Sequence, residues 1–204
     1  METIRKIGIF KGKTYELPKD SSSHNLQTFQ IIRVCRALSH GLPTINNGGC
    51  GMFAIMLDSI FNGSIAKLEL LGKVNKYDGT FQGENFHEIF IKGNFCYDAY
   101  DVCTITTLFR EKGIKRIMTS EEMYYRAKPN RFFLIKRTPD IVLRDYFNDT
   151  YNPDFANRRK MNQLFGNYKY VISSLPVNLK AQCRYENVSK IINCSNDLIL
   201  SLAA

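Results

Sequence analysis

The sequence predicts an α+β fold in which a buried helix, opening with a cysteine, packs on an antiparallel sheet. Two stretches carry that reading. Asn46-Asn47-Gly48-Gly49-Cys50-Gly51 runs straight into Met52 to Phe61, which has almost no polar face, and a helix apolar all round has to be buried. Downstream, Phe86 to Lys92 and Phe95 to Tyr97 flank Gly93-Asn94 as the two arms of a tight hairpin. A composition of 44% hydrophobic and 23% charged residues over 204 positions is enough for one substantial core.

In chain order, Ile4 to Leu17 reads as a short hairpin about Lys11-Gly12, and Pro18 to Ser23 as a polar linker. From Asn25 to Ser39, Leu26, Phe29, Ile32, Cys35 and Leu38 recur at helical spacing opposite Gln27, Gln30, Arg33 and Arg36, and Gly41 with Pro43 ends the run. The central helix occupies Gly51 to Asn62, so Cys50 stands at its start. Ile65 to Tyr77 alternates as a strand, and Asp78 to Asn85 reads as a loop. Across the two-residue turn, Lys92 pairs with Phe95, Ile91 with Cys96 and Phe90 with Tyr97. Parity then sets His87 and Asp98 on one face as diagonal neighbours, roughly 7 Å apart at Cβ, with Asp101 on the other face. A one-residue slip would exchange the two aspartates.

Beyond Thr104 the pattern predicts a helix near Thr107 to Lys112, a strand Ile114 to Met118, a helix Ser120 to Ala127 and a strand Arg131 to Arg137. Thr138-Pro139 and Asn152-Pro153 each pair a capping residue with proline, opening helices through Phe147 and Phe165, and Tyr168 to Ser173 reads as a last strand. The natural seam lies near Thr104 to Thr107. It separates a core, residues 1–104, from a mixed α/β extension, residues 105–204, packed onto the same core or standing beside it.

No basic, apolar, small-residue leader pattern opens the chain at Met1 to Leu17, and the apolar tail Leu198 to Ala204 is too short to span a bilayer, so a cytoplasmic protein with no membrane partner is expected. The six cysteines (Cys35, Cys50, Cys96, Cys103, Cys183, Cys194) include no CxxC and no Cys–His pair at zinc-finger spacing. Neither a disulfide framework nor a metal is indicated: Cys50, His87 and Cys96 lack a fourth ligand, and no cofactor is called for. Charge is uneven. Between Ile105 and Tyr170 there are fourteen Lys/Arg against seven Asp/Glu, most of the chain's +9 excess. There Arg126, Lys128, Arg131, Lys136 and Arg137 are interleaved with Tyr124, Tyr125, Phe132 and Phe133, and Arg158-Arg159-Lys160 forms the densest cluster, a composition compatible with an acidic partner or nucleic acid, although without a nucleic-acid motif a solvated face over an aromatic core is the plainer reading.

Chemistry concentrates in the first half. A glycine-rich approach lets the backbone and a ligand come close to Cys50, and helix amides and dipole favour a thiolate there. A buried cysteine or a core histidine alone is commonplace; a Gly-Gly-Cys-Gly helix start, one of only three histidines in a following strand, and a same-face aspartate together form the nucleophile, base and orienter of covalent acyl chemistry. The order and context, over roughly residues 25–103, resemble the papain-like superfamily in its broad sense: NlpC/P60-type amidases, transglutaminase-like proteins and arylamine N-acetyltransferases. The resemblance implies a papain-like core, with Cys50 as nucleophile, His87 as base and acid, and Asp98 as orienter. It implies a cysteine peptidase or amidase acting on a peptide, protein or other amide, or an acyltransferase with the same triad. Papain-type enzymes place a Gln a few residues before the Cys; here Asn46 and Asn47 stand there, leaving these two, the Cys50 amide, Gln27 and Gln30 as oxyanion donors.

Overall fold

The computed structural model describes residues 5–10, 13–17, 22–42, 45–46, 48–74, 81–100, 102–122, 128–148 and 158–201. They form an α+β fold. Strands β1 (Arg5–Phe10) and β2 (Lys13–Leu17) pair as a separate antiparallel hairpin. Helices α1 (Ser22–Leu38) and α2 (Cys50–Phe61) precede β3 (Ser64–Val74), β4 (Phe81–Lys92), β5 (Phe95–Tyr97) and β6 (Val102–Thr104). Helix α3 (Ile105–Lys112), β7 (Ile117–Met118), β8 (Phe132–Arg137) and the helices α4 (Pro139–Asn148), α5 (Arg158–Ser174), α6 (Val177–Lys180) and α7 (Tyr185–Ser201) follow.

Six strands make one sheet in the order β6-β5-β4-β3-β8-β7, antiparallel throughout except for the parallel pair β7 and β8. The second half of the chain thus completes the sheet begun by the first, because β8 lies along β3 with Leu68 opposite Leu134. One face carries α2, whose twelve residues are all buried. Ile31 and Leu38 of α1, Phe90 of β4, Tyr97 of β5, Leu164 and Tyr168 of α5 and Ile191 of α7 enclose it in a single apolar cluster. The other face packs Ala66, Ile89, Cys96 and Leu134 against Leu108 of α3 and Ile114.

The apolar clusters explain where the sequence-based expectations stand. Helix α1 and strand β3 agree with the residues expected within a few positions, and the turn at Gly93-Asn94 is present with Gly93 at φ 58°, a left-handed conformation that glycine takes at no steric cost. Other expectations are corrected, among them the polar linker Pro18 to Ser23, whose Ser22 and Ser23 already belong to α1. Phe81 to Asn85 is not loop but the first half of β4, which pairs with β3 through a shift in register between Leu70 and Leu71. Tyr168 to Ser173 is not a strand: it lies inside α5, where Met161, Leu164 with Phe165, Tyr168 and Val171 fall on one helical face and are buried. Of the segment Ile114 to Met118, only Ile117–Met118 is strand, while 123–127 and the opening Asn152-Pro153 lie outside the described residues. No helix among the described residues is long and apolar enough to cross a membrane.

Candidate functional site

Cys50 is the first residue of α2 and is 3% exposed. The loop before it is shaped for that position. Gly48 takes φ 100°, which a side chain would strain, and the Gly49 amide donates to Ile45 O at 2.8 Å. Gly49, as N-cap, has no side chain with which to accept from the first-turn amides, so those donors are not consumed by a cap. A Cβ on Gly51 would lie 2.8 Å from Val142 Cγ1, so the helix start is pressed close against α4 and only glycine fits without displacement.

His87 comes from β4, beyond the last rung of the β4–β5 ladder. That ladder has the expected register, Phe90 with Tyr97, Ile91 with Cys96 and Lys92 with Phe95. Asp98 follows Tyr97 directly, and the carboxylate Oδ2 lies 3.0 Å from His87 Nε2. Its other oxygen, Oδ1, accepts from the Tyr100 amide at 2.6 Å, fixing the carboxylate plane. The ring is also within hydrogen-bonding reach of the Cys50 sulfur. With Nε2 facing Asp98, Nδ1 is the ring nitrogen that can serve a second partner. Burial alone would push the imidazolium down; hydrogen bonds to Asp98 and Cys50 and their negative charge outweigh it, and the pKa rises from 6.5 to about 10. The side chains of His87 and Asp98 are 24% and 20% exposed, so the cluster opens to solvent on the histidine side.

Tyr100 is a member of this site that pattern reading missed. Its hydroxyl accepts from the Ile45 amide at 2.9 Å and donates to Leu42 O at 3.3 Å. One residue therefore ties the loop leading into Cys50 to the segment carrying Asp98. The signal was present in Asp98-Ala99-Tyr100 but has no periodicity to expose it. Asn46 has a buried side-chain oxygen without a hydrogen-bond partner among the described residues, and Asn47 and Asp101 lie outside them. Gln30 lines a groove between α1 and α5 with Tyr170 and Leu175.

A second missed residue is Glu88, next to His87 and 1% exposed. Its Cγ lies 3.6 Å from the Cβ position of Gly51, beneath the first turn of α2. Arg137 of β8 approaches Glu88 Oε1 at 3.5 Å and also pairs with Asp145 of α4. Neither Glu88 oxygen has a hydrogen bond among the described residues. Burial pushes its carboxyl up, the Arg137 and Lys67 charges pull it partly back, and the result is about 7.

The remaining candidates lie elsewhere. Cys96 is the cross-strand partner of Cys103 on the far face of the sheet. No group of three or more His, Cys, Asp or Glu suited to a metal ion occurs among the described residues. Arg158, Arg159 and Lys160 open α5, with Arg159 exposed and Lys160 half-buried. The chain matches no family model, no curated protein and no solved structure.

Proposed function

We propose that the protein is a cysteine-dependent hydrolase of papain-like type, with Cys50, His87 and Asp98 as its triad. The observation that carries the reading is the His87 ring, hydrogen-bonded to the Asp98 carboxylate at 3.0 Å and acted on by Cys50 at the head of α2. In this reading the thiol proton already rests on His87, as its raised pKa favours, and the Cys50 thiolate attacks the carbonyl carbon of an amide. The S–C bond forms, the carbonyl oxygen gains the electron pair, and first-turn amides of α2 with the Asn46 side chain stabilise it. His87 then delivers the proton to the leaving nitrogen as the C–N bond breaks, leaving a thioester on Cys50. A water molecule, deprotonated by His87, attacks that thioester and restores the thiol. Asp98 holds the ring with Nδ1 toward sulfur and stabilises the imidazolium between the two half-reactions.

The test uses an activated ester, because the natural acyl donor is not needed to acylate a competent thiol. Incubation with p-nitrophenyl acetate should yield nitrophenolate with an initial burst and one acetyl group on the peptide containing Cys50, found by mass spectrometry. Acylation spread evenly over Cys35, Cys50, Cys96 and Cys183, or absent from Cys50, would refute the reading.

A further inference from the structure

Among the described residues a group of cations gathers at the end of α3 and the start of β8. A cavity of about 270 Å³ is formed where the end of α3, β7 and the start of β8 meet. Lys115, Arg116, Lys128 and Arg131 line its polar side, and Met118 and Phe133 its apolar side. Among the described residues no acidic side chain lines it. Glu122 engages Arg116 at 2.7 Å and the Thr119 amide at 3.0 Å, so one of the four cations is balanced. Lys115, Lys128 and Arg131 are exposed and have no ion pair among the described residues. A fifth cation, Lys112, rests over the Phe132 ring at 4.8 Å.

Three unbalanced charges around one concavity focus a positive potential where low-dielectric walls limit screening. Arg131 adds a planar fork that matches phosphate oxygens in pairs. The shape narrows the ligand further. A nucleic-acid strand needs a stripe of cations along an extended groove, whereas these converge on a single cavity just under the roughly 300 to 1,000 Å³ of common small-molecule sites. An inorganic anion alone would leave Met118, Ile114 and Phe133 unused. The site also stands apart from the cysteine. Arg131 precedes β8 and Arg137 ends it, and at about 3.3 Å per residue Arg131 is roughly 20 Å along the strand from the arginine that meets Glu88.

We infer that this cavity binds a small organic phosphate, with two or more phosphate charges held by Lys115, Lys128 and Arg131 and a flat or apolar portion against Met118 and Phe133. The site is independent of the cysteine chemistry and stands whether or not that reading holds.

Calorimetric titration of the full chain at low ionic strength with ADP, inorganic pyrophosphate, adenosine and a mixed-sequence oligonucleotide tests it. ADP should saturate one site per chain, pyrophosphate should bind more weakly, and adenosine should not bind. The double variant Lys128→Ala/Arg131→Ala should weaken ADP by about tenfold or more, since each lost charge-assisted contact is worth up to that factor. Lys169→Ala, an exposed cation on α5, should bind ADP as the parent does. Absence of ADP binding, or equal binding by the double variant, would overturn the site. Pyrophosphate binding as tightly as ADP would overturn the organic portion, and an oligonucleotide outcompeting ADP would overturn the small-ligand assignment.

Discussion

His87 and Glu88 are consecutive residues of one strand, and both are held above their ordinary pKa, for opposite reasons. At His87 the charged form is favoured: a carboxylate at 3.0 Å and a sulfur in reach outweigh the cost of burial. At Glu88 the charged form is disfavoured, because Arg137 stands 3.5 Å away, shared with Asp145, and no hydrogen bond reaches either carboxylate oxygen among the described residues. Proximity of opposite charge is therefore insufficient by itself. A short, directed hydrogen bond keeps an ionised group in the protein interior, and a loose ion pair leaves burial in control.

The comparison breaks most visibly at the sulfur. Cys50→Ala should abolish acylation by the activated ester while changing stability by no more than about 2 kcal/mol, since little volume is lost. In the parent, iodoacetamide at neutral pH should modify Cys50 ahead of Cys35, Cys96 and Cys183, whose thiols are pushed up by burial, and in Cys96 first by its neighbour Cys103. Peptide mapping decides both points; equal labelling of the four would remove the distinction the site rests on.

Asp98→Asn comes next. The loss of the carboxylate should lower the His87 titration midpoint from about 10 by a unit or more and slow Cys50 alkylation by about tenfold, with histidine ring NMR giving the midpoint. Because His87 binds its proton more tightly in the fold than in the unfolded chain, its contribution to stability is complete below 6.5 and is lost as pH rises through about 10. Denaturant titrations between those values should show a falling stability in the parent and a flatter one in Asp98→Asn. An unchanged midpoint would mean the aspartate does not govern the ring.

Glu88→Gln probes the other member of the pair in a different window. A carboxyl raised from 4.5 to about 7 also binds its proton more tightly in the fold, so its contribution is present below 4.5 and lost as pH rises through 7. The amide should remove that slope, on the order of 1 kcal/mol per pH unit, and leave the variant at least as stable as the parent at pH 8. Destabilisation at pH 8 would show that the pair with Arg137 is net favourable. The smallest effect expected is that of Gly51→Ala. Its Cβ meets Val142 Cγ1, which can turn aside, so a cost of about 1 to 2 kcal/mol in thermal or denaturant unfolding is expected, with Cys50 labelling reduced as the helix start shifts.

What was legible in the sequence is local. A two-residue turn at Gly93-Asn94 fixes its own register, so the relation between His87 and Asp98 needed no knowledge of the rest of the chain. The all-apolar run after Cys50 likewise declared a buried helix. What was missed depends on contacts distant in sequence. Tyr168 to Ser173 is rich in aromatic and branched residues that suit a strand, yet Tyr168 is drawn into helix α5 by its place beside α2, where its hydroxyl meets Ser59 Oγ at 2.8 Å. Glu88 gives no signal within its apolar strand, and its setting exists only once β8 brings Arg137 to it from the far side of β3. Tyr100 shows its role only once the loop at Leu42 and Ile45 lies against it.

The enclosure of α2 bears on how the chain is made. Its twelve buried residues leave the ribosome long before the partners that cover them, since α5 and α7 extend the cluster to Ile191. Strand β8 is as late for the sheet, and Arg137 arrives with it. During synthesis the helix that begins with Cys50 is therefore an uncovered apolar surface until α5 and α7 have emerged and pack against it.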